Sequence, residues 1–300
     1  MYAASLLLAT LFVAARVTYA EGCGLSGPAA QIARAGNLDE ALAAYQKELA
    51  ATPDAPEANC SAGIVLDLMG KTAEAKKYFA KAIETSATPM AKADAQRSMA
   101  VSFAFDSNCA GAVKYEQMVL DYYASFNDFY NQGEIADEAA RICIDAGKLD
   151  EAAKWYQTGH DLGLKQPDIR PDRKSLWEFR LEHAEARIAA RRGKKEEAAQ
   201  HIAAAKAILD GDPVMARQQA PLFPFLLGYV AFYTGDYRRA LVELQSGHQN
   251  DAFIQCLIGM AYEKVGDRKK AMEFYTKAAQ VTVHNPPAAF ARPFARKKLG

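Results

Sequence analysis

The sequence predicts an all-α protein laid out as a solenoid, an array of helix-turn-helix units in which each unit packs only on its neighbours. Three observations predict it. A short Gly-led motif recurs along the chain, an Ala stands five residues after the start of every copy, and the composition is helix-forming. Half of the 300 residues are apolar, with Ala supplying much of that share, while Lys, Glu, Leu and Gln recur and long β-branched runs are missing. A chain of this length exceeds the usual single compact core, which leaves two domains or an elongated array.

The motif begins at Gly36-Asn37-Leu38-Asp39-Glu40-Ala41 and returns as Gly70-Lys71-Thr72-Ala73-Glu74-Ala75 and Gly147-Lys148-Leu149-Asp150-Glu151-Ala152. Three further copies are Gly193-Lys194-Lys195-Glu196-Glu197-Ala198, Gly235-Asp236-Tyr237-Arg238-Arg239-Ala240 and Gly266-Asp267-Arg268-Lys269-Lys270-Ala271. A degenerate copy, Ser107-Asn108-Cys109-Ala110-Gly111-Ala112, fills the gap between the second and third. In each, Gly ends one helix where the backbone turns left-handed and a short polar stretch starts the next. The Ala column (41, 75, 112, 152, 198, 240, 271) marks where two helices approach too closely for a larger side chain, and Tyr45, Phe79, Tyr156 and Tyr275 fill the space beside it. Pro53, Pro89 and Pro286 stop the second helices.

This pattern resembles the tetratricopeptide repeat, a helix-turn-helix unit of about 34 residues with this Gly, this small Ala and a closing Pro. The first two Gly positions are 34 apart, later spacings lengthen past 40 and the last is 31. The resemblance runs from about 28 to 285 and implies an α-solenoid, a right-handed superhelix of about seven such repeats. It divides the chain into repeats 1 to 4 over 21–158, a longer Pro-containing connection over 159–175, repeats 5 to 7 over 176–285, and a C-terminal cap or tail over 286–300. That last stretch reads as either a short solvating helix or a frayed end.

Residues 1–20 differ from the rest. An uncharged run from Ala3 to Ala15 is followed by Thr18-Tyr19-Ala20, which fits a secretory signal peptide cleaved before Glu21. The run is shorter than the about 20 residues a membrane span needs, and no second one follows. An uncleaved anchor, a buried first helix and lipidation at Cys23 are the alternatives. The expected location is periplasmic or secreted, with no membrane span after cleavage.

Lys plus Arg equals Asp plus Glu at 36 each, so no global field draws the chain to nucleic acid or an anionic membrane. His160, His183, His201, His248 and His284 are scattered, no H-E-x-x-H or C-x-x-C occurs, and no Gly-rich loop follows a strand. The expectation is therefore no enzyme, no cofactor and no metal site, with protein or peptide ligands as partners.

In the family the first helices of successive units line a concave surface, and the resemblance places particular side chains there. Repeat 4 contributes Glu134, Asp137, Glu138 and Arg141; repeat 5 contributes Arg180, His183, Arg187 and Arg191 as one basic stripe; repeat 6 contributes Phe225, Tyr229, Phe232 and Tyr233. Such a groove suits a peptide with acidic and apolar side chains. The competing reading is a solvated charged face and core aromatics. The carboxylate clamp of co-chaperone members does not carry over, because its Lys and Asn residues are absent from the matching positions.

Neighbouring first helices pack side by side, so Cys23 with Cys60, and Cys109 with Cys143, are placed to pair, leaving Cys256. Reduced, buried thiols are the other possibility. The expected function is an envelope adaptor that takes a protein segment in its concave groove. The alternatives are a structural part of an envelope assembly held by its convex face or tail, and then a binder of an ion or small molecule.

Overall fold

The structure is a computed structural model and describes residues 23–219, 222–247 and 249–300. The expected signal peptide and His248 lie outside the described residues. The chain is about 80% helix, and the described residues form sixteen helices with no strand. Seven antiparallel pairs follow one another: α1 (Ala29–Arg34) with α2 (Leu38–Ala51), α3 (Pro56–Met69) with α4 (Thr72–Thr85), α5 (Pro89–Phe105) with α6 (Cys109–Ala124), and α7 (Phe129–Asp145) with α8 (Leu149–Gly163). The series continues with α9 (Pro171–Arg191) and α10 (Lys195–Gly211), then α12 (Leu222–Tyr233) with α13 (Tyr237–Ser246), and α14 (Ala252–Lys264) with α15 (Arg268–Gln280). A short α11 (Pro213–Gln219) precedes the sixth pair, and α16 (Pro286–Leu299) follows the seventh.

The turn inside each pair is set by local backbone chemistry. At Gly70 φ is 83°, and the following Lys71 N–H donates back to the Leu66 carbonyl over 2.8 Å, satisfying a helix-end acceptor. The other five turn glycines share the left-handed conformation, and in the third pair Ser107 adopts it at φ 54° without being glycine. Asn108 offsets this by accepting the Gly111 N–H as an N-cap. The Ala column is buried throughout, none of the seven being more than 1% exposed, and Tyr45, Phe79, Tyr156 and Tyr275 are buried beside it.

A second small-residue column lies seven positions before the turn residue: Ala29, Gly63, Ala100, Ala140, Ala186, Gly228 and Gly259. A Cβ on Gly63 would stand 2.8 Å from the Phe79 ring, and one on Gly259 would stand 2.8 Å from that of Tyr275. The first helix of a pair is therefore held against the aromatic of the second at nearly backbone distance.

The connection expected over 159–175 is shorter, since α8 continues to Gly163 and α9 begins at Pro171. Its glycines are packing positions and not breakers. The fully buried Trp177 indole covers Gly163, where a Cβ would meet the ring at 2.1 Å, and Gly159 passes the backbone of Gly133.

The end of the chain also differs from a solvating or frayed tail. Helix α16 buries Ala288, Ala289, Ala291 and Ala295 and packs on α14 and α15 on one side and on α5 and α7 on the other. The superhelix thus curls until its last segment meets its first repeats. The Thr282 hydroxyl donates to the Arg34 carbonyl, and His284 Nε2 lies 2.9 Å from Asp67 Oδ2 with the ring between Phe79 and Phe105. Arg292 Nε donates to the Leu68 carbonyl over 2.7 Å and its Nη1 to the Val281 carbonyl, while Arg296 shares the Leu68 acceptor. Leu68 sits in the last turn of α3, where carbonyls lack intrahelical donors and the helix end is partially negative. Burial and the neighbouring Arg296 pull the Arg292 pKa down to about 10, which leaves it charged at neutral pH.

Replacing Arg292 with Ala removes charge-assisted hydrogen bonds that close the superhelix and leaves buried carbonyls unpaired. We expect a loss of about 2–4 kcal/mol, read as a lower urea midpoint, whereas Lys297→Ala on the exposed face of the same helix leaves the midpoint unchanged.

Candidate functional site

The first helices α7, α9, α12 and α14 form the concave face of repeats 4 to 7, and they carry every side chain that the sequence placed in the groove of repeats 4 to 6. Most of those side chains are engaged with one another. Arg180 pairs with Glu134, lies 3.9 Å from Asp137 and stacks over Trp177 at 4.8 Å. Arg187 is buried, donates to the Tyr156 hydroxyl over 2.9 Å and to the His183 carbonyl, and faces the rings of Tyr156 and Tyr229. Arg191 donates to the hydroxyls of Tyr229 and Tyr233 and stacks on Tyr233. The basic stripe of α9 is therefore a ladder of guanidinium groups laid on aromatic rings, with Arg187 and Arg191 reaching those of neighbouring repeats and Arg180 lying on Trp177 of its own helix.

The aromatics answer in kind. Tyr229 and Phe225 are buried between α9, α12 and α14, and Phe232 packs into α13 through Tyr237, so Tyr229 and Phe232 form core and not groove surface, while Phe225 is core with one edge on a cavity. Tyr233 is half-buried. His183 lies between Phe179 and Phe225, and burial, then Arg187 and Arg141, push its pKa well below the usual imidazole value, holding it neutral.

Arg141 behaves differently. Its Nε donates to Asp145 over 2.9 Å, and its plane lies 4.5 Å over Phe253 of α14 and 6.0 Å from Phe225, so it spans the groove from repeat 4 to repeat 7. Beside it opens a cavity of about 330 Å³ lined by Arg141, Leu222, Phe225, Asn250, Asp251 and Ile254. A second cavity, about 410 Å³, lies at the other end of the concave face between Asp94, Arg97, Ser98, Glu138, His284 and Asn285. Arg97 pairs there with Glu138, and buried Glu116 nearby has no hydrogen-bond partner among the described residues. Burial, then Glu138, push the Glu116 carboxyl well above its ordinary range, which favours its protonated form.

Cys23 is bonded to Cys60 and Cys109 to Cys143, tying the segment before α1 to α3, and α6 to α7. Each bridge constrains the unfolded chain by on the order of 2–4 kcal/mol. Cys256 is a free, buried thiol whose pKa burial raises. Among the described residues no three His, Cys, Asp or Glu side chains converge as metal ligands would, and no helix is long and apolar enough to cross a membrane.

Seven antiparallel helix pairs stacked through small-residue columns define a helical-repeat solenoid, a class whose units share one continuous core. The second and seventh pairs match the tetratricopeptide repeat model, over residues 56–89 and 254–282, so the array contains repeats of the tetratricopeptide type. Repeats of this kind mediate protein–protein interaction or scaffolding.

Among solved structures, a tetratricopeptide repeat protein from Parabacteroides merdae is 13% identical, with 90% of this chain and 94% of that one covered at a TM-score of 0.48. The APC/C hetero-tetramer Cut9–Hcn1 is 16% identical over 91% of this chain and 48% of that one, at a TM-score of 0.41. The pilF protein of Pseudomonas aeruginosa is 17% identical over 80% of this chain and 91% of that one, at a TM-score of 0.36. No curated protein matches the sequence.

Asp137 gives the concave face a measurable pH signature. Burial raises its pKa to about 7 against the lowering by Arg180, with Glu134 adding to the rise. An unfolded chain releases that proton near pH 3.9, so between these values the folded chain holds a proton that the unfolded chain has lost. The contribution of Asp137 to stability therefore falls as pH rises from about 4 to about 7 and is flat above. In thermal melts at pH 5 and pH 8, Asp137→Asn should gain stability relative to wild type as pH rises; a difference that does not change with pH would contradict the assignment.

Proposed function

We propose that this chain is an exported, non-enzymatic scaffold that holds a partner protein on the concave face formed by α7, α12 and α14. The observation that carries the reading is the location of free space. Residues 281–299 pack against α3, α5 and α7 and leave only the cavity around Arg97 and Glu138 on that side, where those two side chains pair with each other, and the α9 arginines are used in inter-repeat stacking. What remains open on the repeat 4 to 7 face centres on Arg141, Leu222 and Asp251, and Leu222 is 41% exposed at its mouth. A partner engages through a short anchor and not through a long extended segment. Export is supported by the two disulfides, which belong to oxidising compartments, and by the signal-like first twenty residues.

A second reading has its own observation. At the end of α6, Tyr122, Tyr123 and Phe126 pack edge to face, with Phe126 51% exposed, on a surface outside the groove. A structural role through that outer face is the alternative.

A photo-crosslinking residue at 222, compared with one at 126 and one at the exposed Val242, separates the two. A partner trapped from 222 alone supports groove binding. One trapped from 126 but not 222 moves the contact to the outer face.

A further inference from the structure

The groove is bridged where Arg141 of α7 lies on Phe253 of α14, so a chain threading along it meets a closed passage. The space left beside that bridge is about 330 Å³, at the small end of the roughly 300–1,000 Å³ range of small-molecule pockets. We propose that this cavity is a binding site for a small monocarboxylic acid with an apolar body, of the size of an arylalkanoate.

The residues specify both halves of that ligand. Arg141 commits Nε to Asp145, and its two terminal nitrogens make no hydrogen bond among the described residues. Stacking on Phe253 fixes the guanidinium plane, so the unpaired edge is a preorganised two-donor fork of the kind that takes a carboxylate. Leu222, Phe225 and Ile254 supply apolar walls for the remainder of the ligand, and the Asn250 amide adds a polar group at the rim. Asp251 is occupied as the N-cap of α14, accepting the N–H groups of Phe253 and Ile254 over 2.8 and 3.0 Å, so one of its oxygens is already engaged. Two carboxylates act on Arg141, Asp145 by hydrogen bond and Asp251 from the cavity wall, while Arg187 and Arg191 hydrogen-bond only to hydroxyl and carbonyl groups. The ligand would join α7, α12 and α14, and hence repeats 4, 6 and 7. This is the same space that the proposed protein anchor would enter, so the two occupants would compete for it.

The test titrates the full chain with 3-phenylpropionate, its neutral amide, propionate, and a short peptide ending in Phe, read by calorimetry and by thermal shift. The expected result is that the acid binds at least about tenfold more tightly than the amide or propionate and raises the melting temperature. Arg141→Gln should reduce that affinity by about tenfold or more, with Arg141→Lys partly restoring it. Leu222→Trp, at an exposed position, should block the cavity while leaving the unliganded melt unchanged, which keeps the test valid if the Arg141 variants fold poorly. Equal binding of acid and amide, binding unaffected by Leu222→Trp, or no binding up to about 10 mM would overturn the proposal. Binding of the peptide alone would also overturn it, in favour of a chain terminus.

Discussion

The structure depends on the seating of Arg292 in the last turn of α3. A solenoid of helix pairs has two ends with unsatisfied helix faces, and the usual remedy is a polar capping helix at each. Here the superhelix is wound tightly enough for α16 to serve the seventh repeat and the second at once. The charge that is buried in doing so is accepted by carbonyls which the end of α3 leaves without donors. A guanidinium is suited to that task because several donors in one plane serve the Leu68 and Val281 carbonyls together. The His284 and Asp67 contact and the Ala face of α16 complete the closure. Once the ends meet, α16 occupies part of the inner surface of the first repeats, and the openings left are the cavity at Arg97 and Glu138 and the cavity at Arg141.

The two halves of the array hold their repeats together by different chemistry. Covalent links fix α3 to the segment before α1, and α6 to α7. Beyond α7 no cysteine pair is present among the described residues, and the interfaces are laced by Arg on aromatic contacts: Arg187 on Tyr156, Arg191 on Tyr233 and Arg141 on Phe253. Such stacking is worth more when water is excluded, which fits the burial of Arg187. The lengthened repeats in this region follow from it, because the 21-residue α9 presents Arg and aromatic positions over a longer face.

Most of the fold was legible because it is written in residue size at a fixed offset. The turn Gly and the Ala five residues later sufficed to place all seven pairs, including the third, where Ser107 stands for Gly. The column seven residues before the turn was equally present and was missed, since Ala in an Ala-rich chain draws no attention until Gly63, Gly228 and Gly259 are seen to share its offset. Gly159 and Gly163 misled in the opposite direction. Beside prolines they suggested a loop, and only the distant Trp177 makes them contact points inside a helix.

The concave face was harder to read for a physical reason. Spacing along α9 puts Arg180, Arg187 and Arg191 on one side of a helix, but spacing does not reveal what faces them. Their partners lie 31 to 46 residues away, on α7, α8 and α12. A stripe of guanidinium groups awaiting an acidic ligand and one already laid on tyrosines therefore have the same sequence signature. The same limit explains why the closing of the chain was invisible, for the Arg292 to Leu68 contact spans 224 residues. Arg180 and Arg191 likewise stack on a ring with one nitrogen committed, but only Arg141 of the three lines an open cavity, so there the side chain is ordered, not fully satisfied and within reach of a ligand. Order without satisfaction is the condition under which a ligand gains the full value of a charge-assisted hydrogen bond, because the entropy of fixing the donor has already been lost in folding.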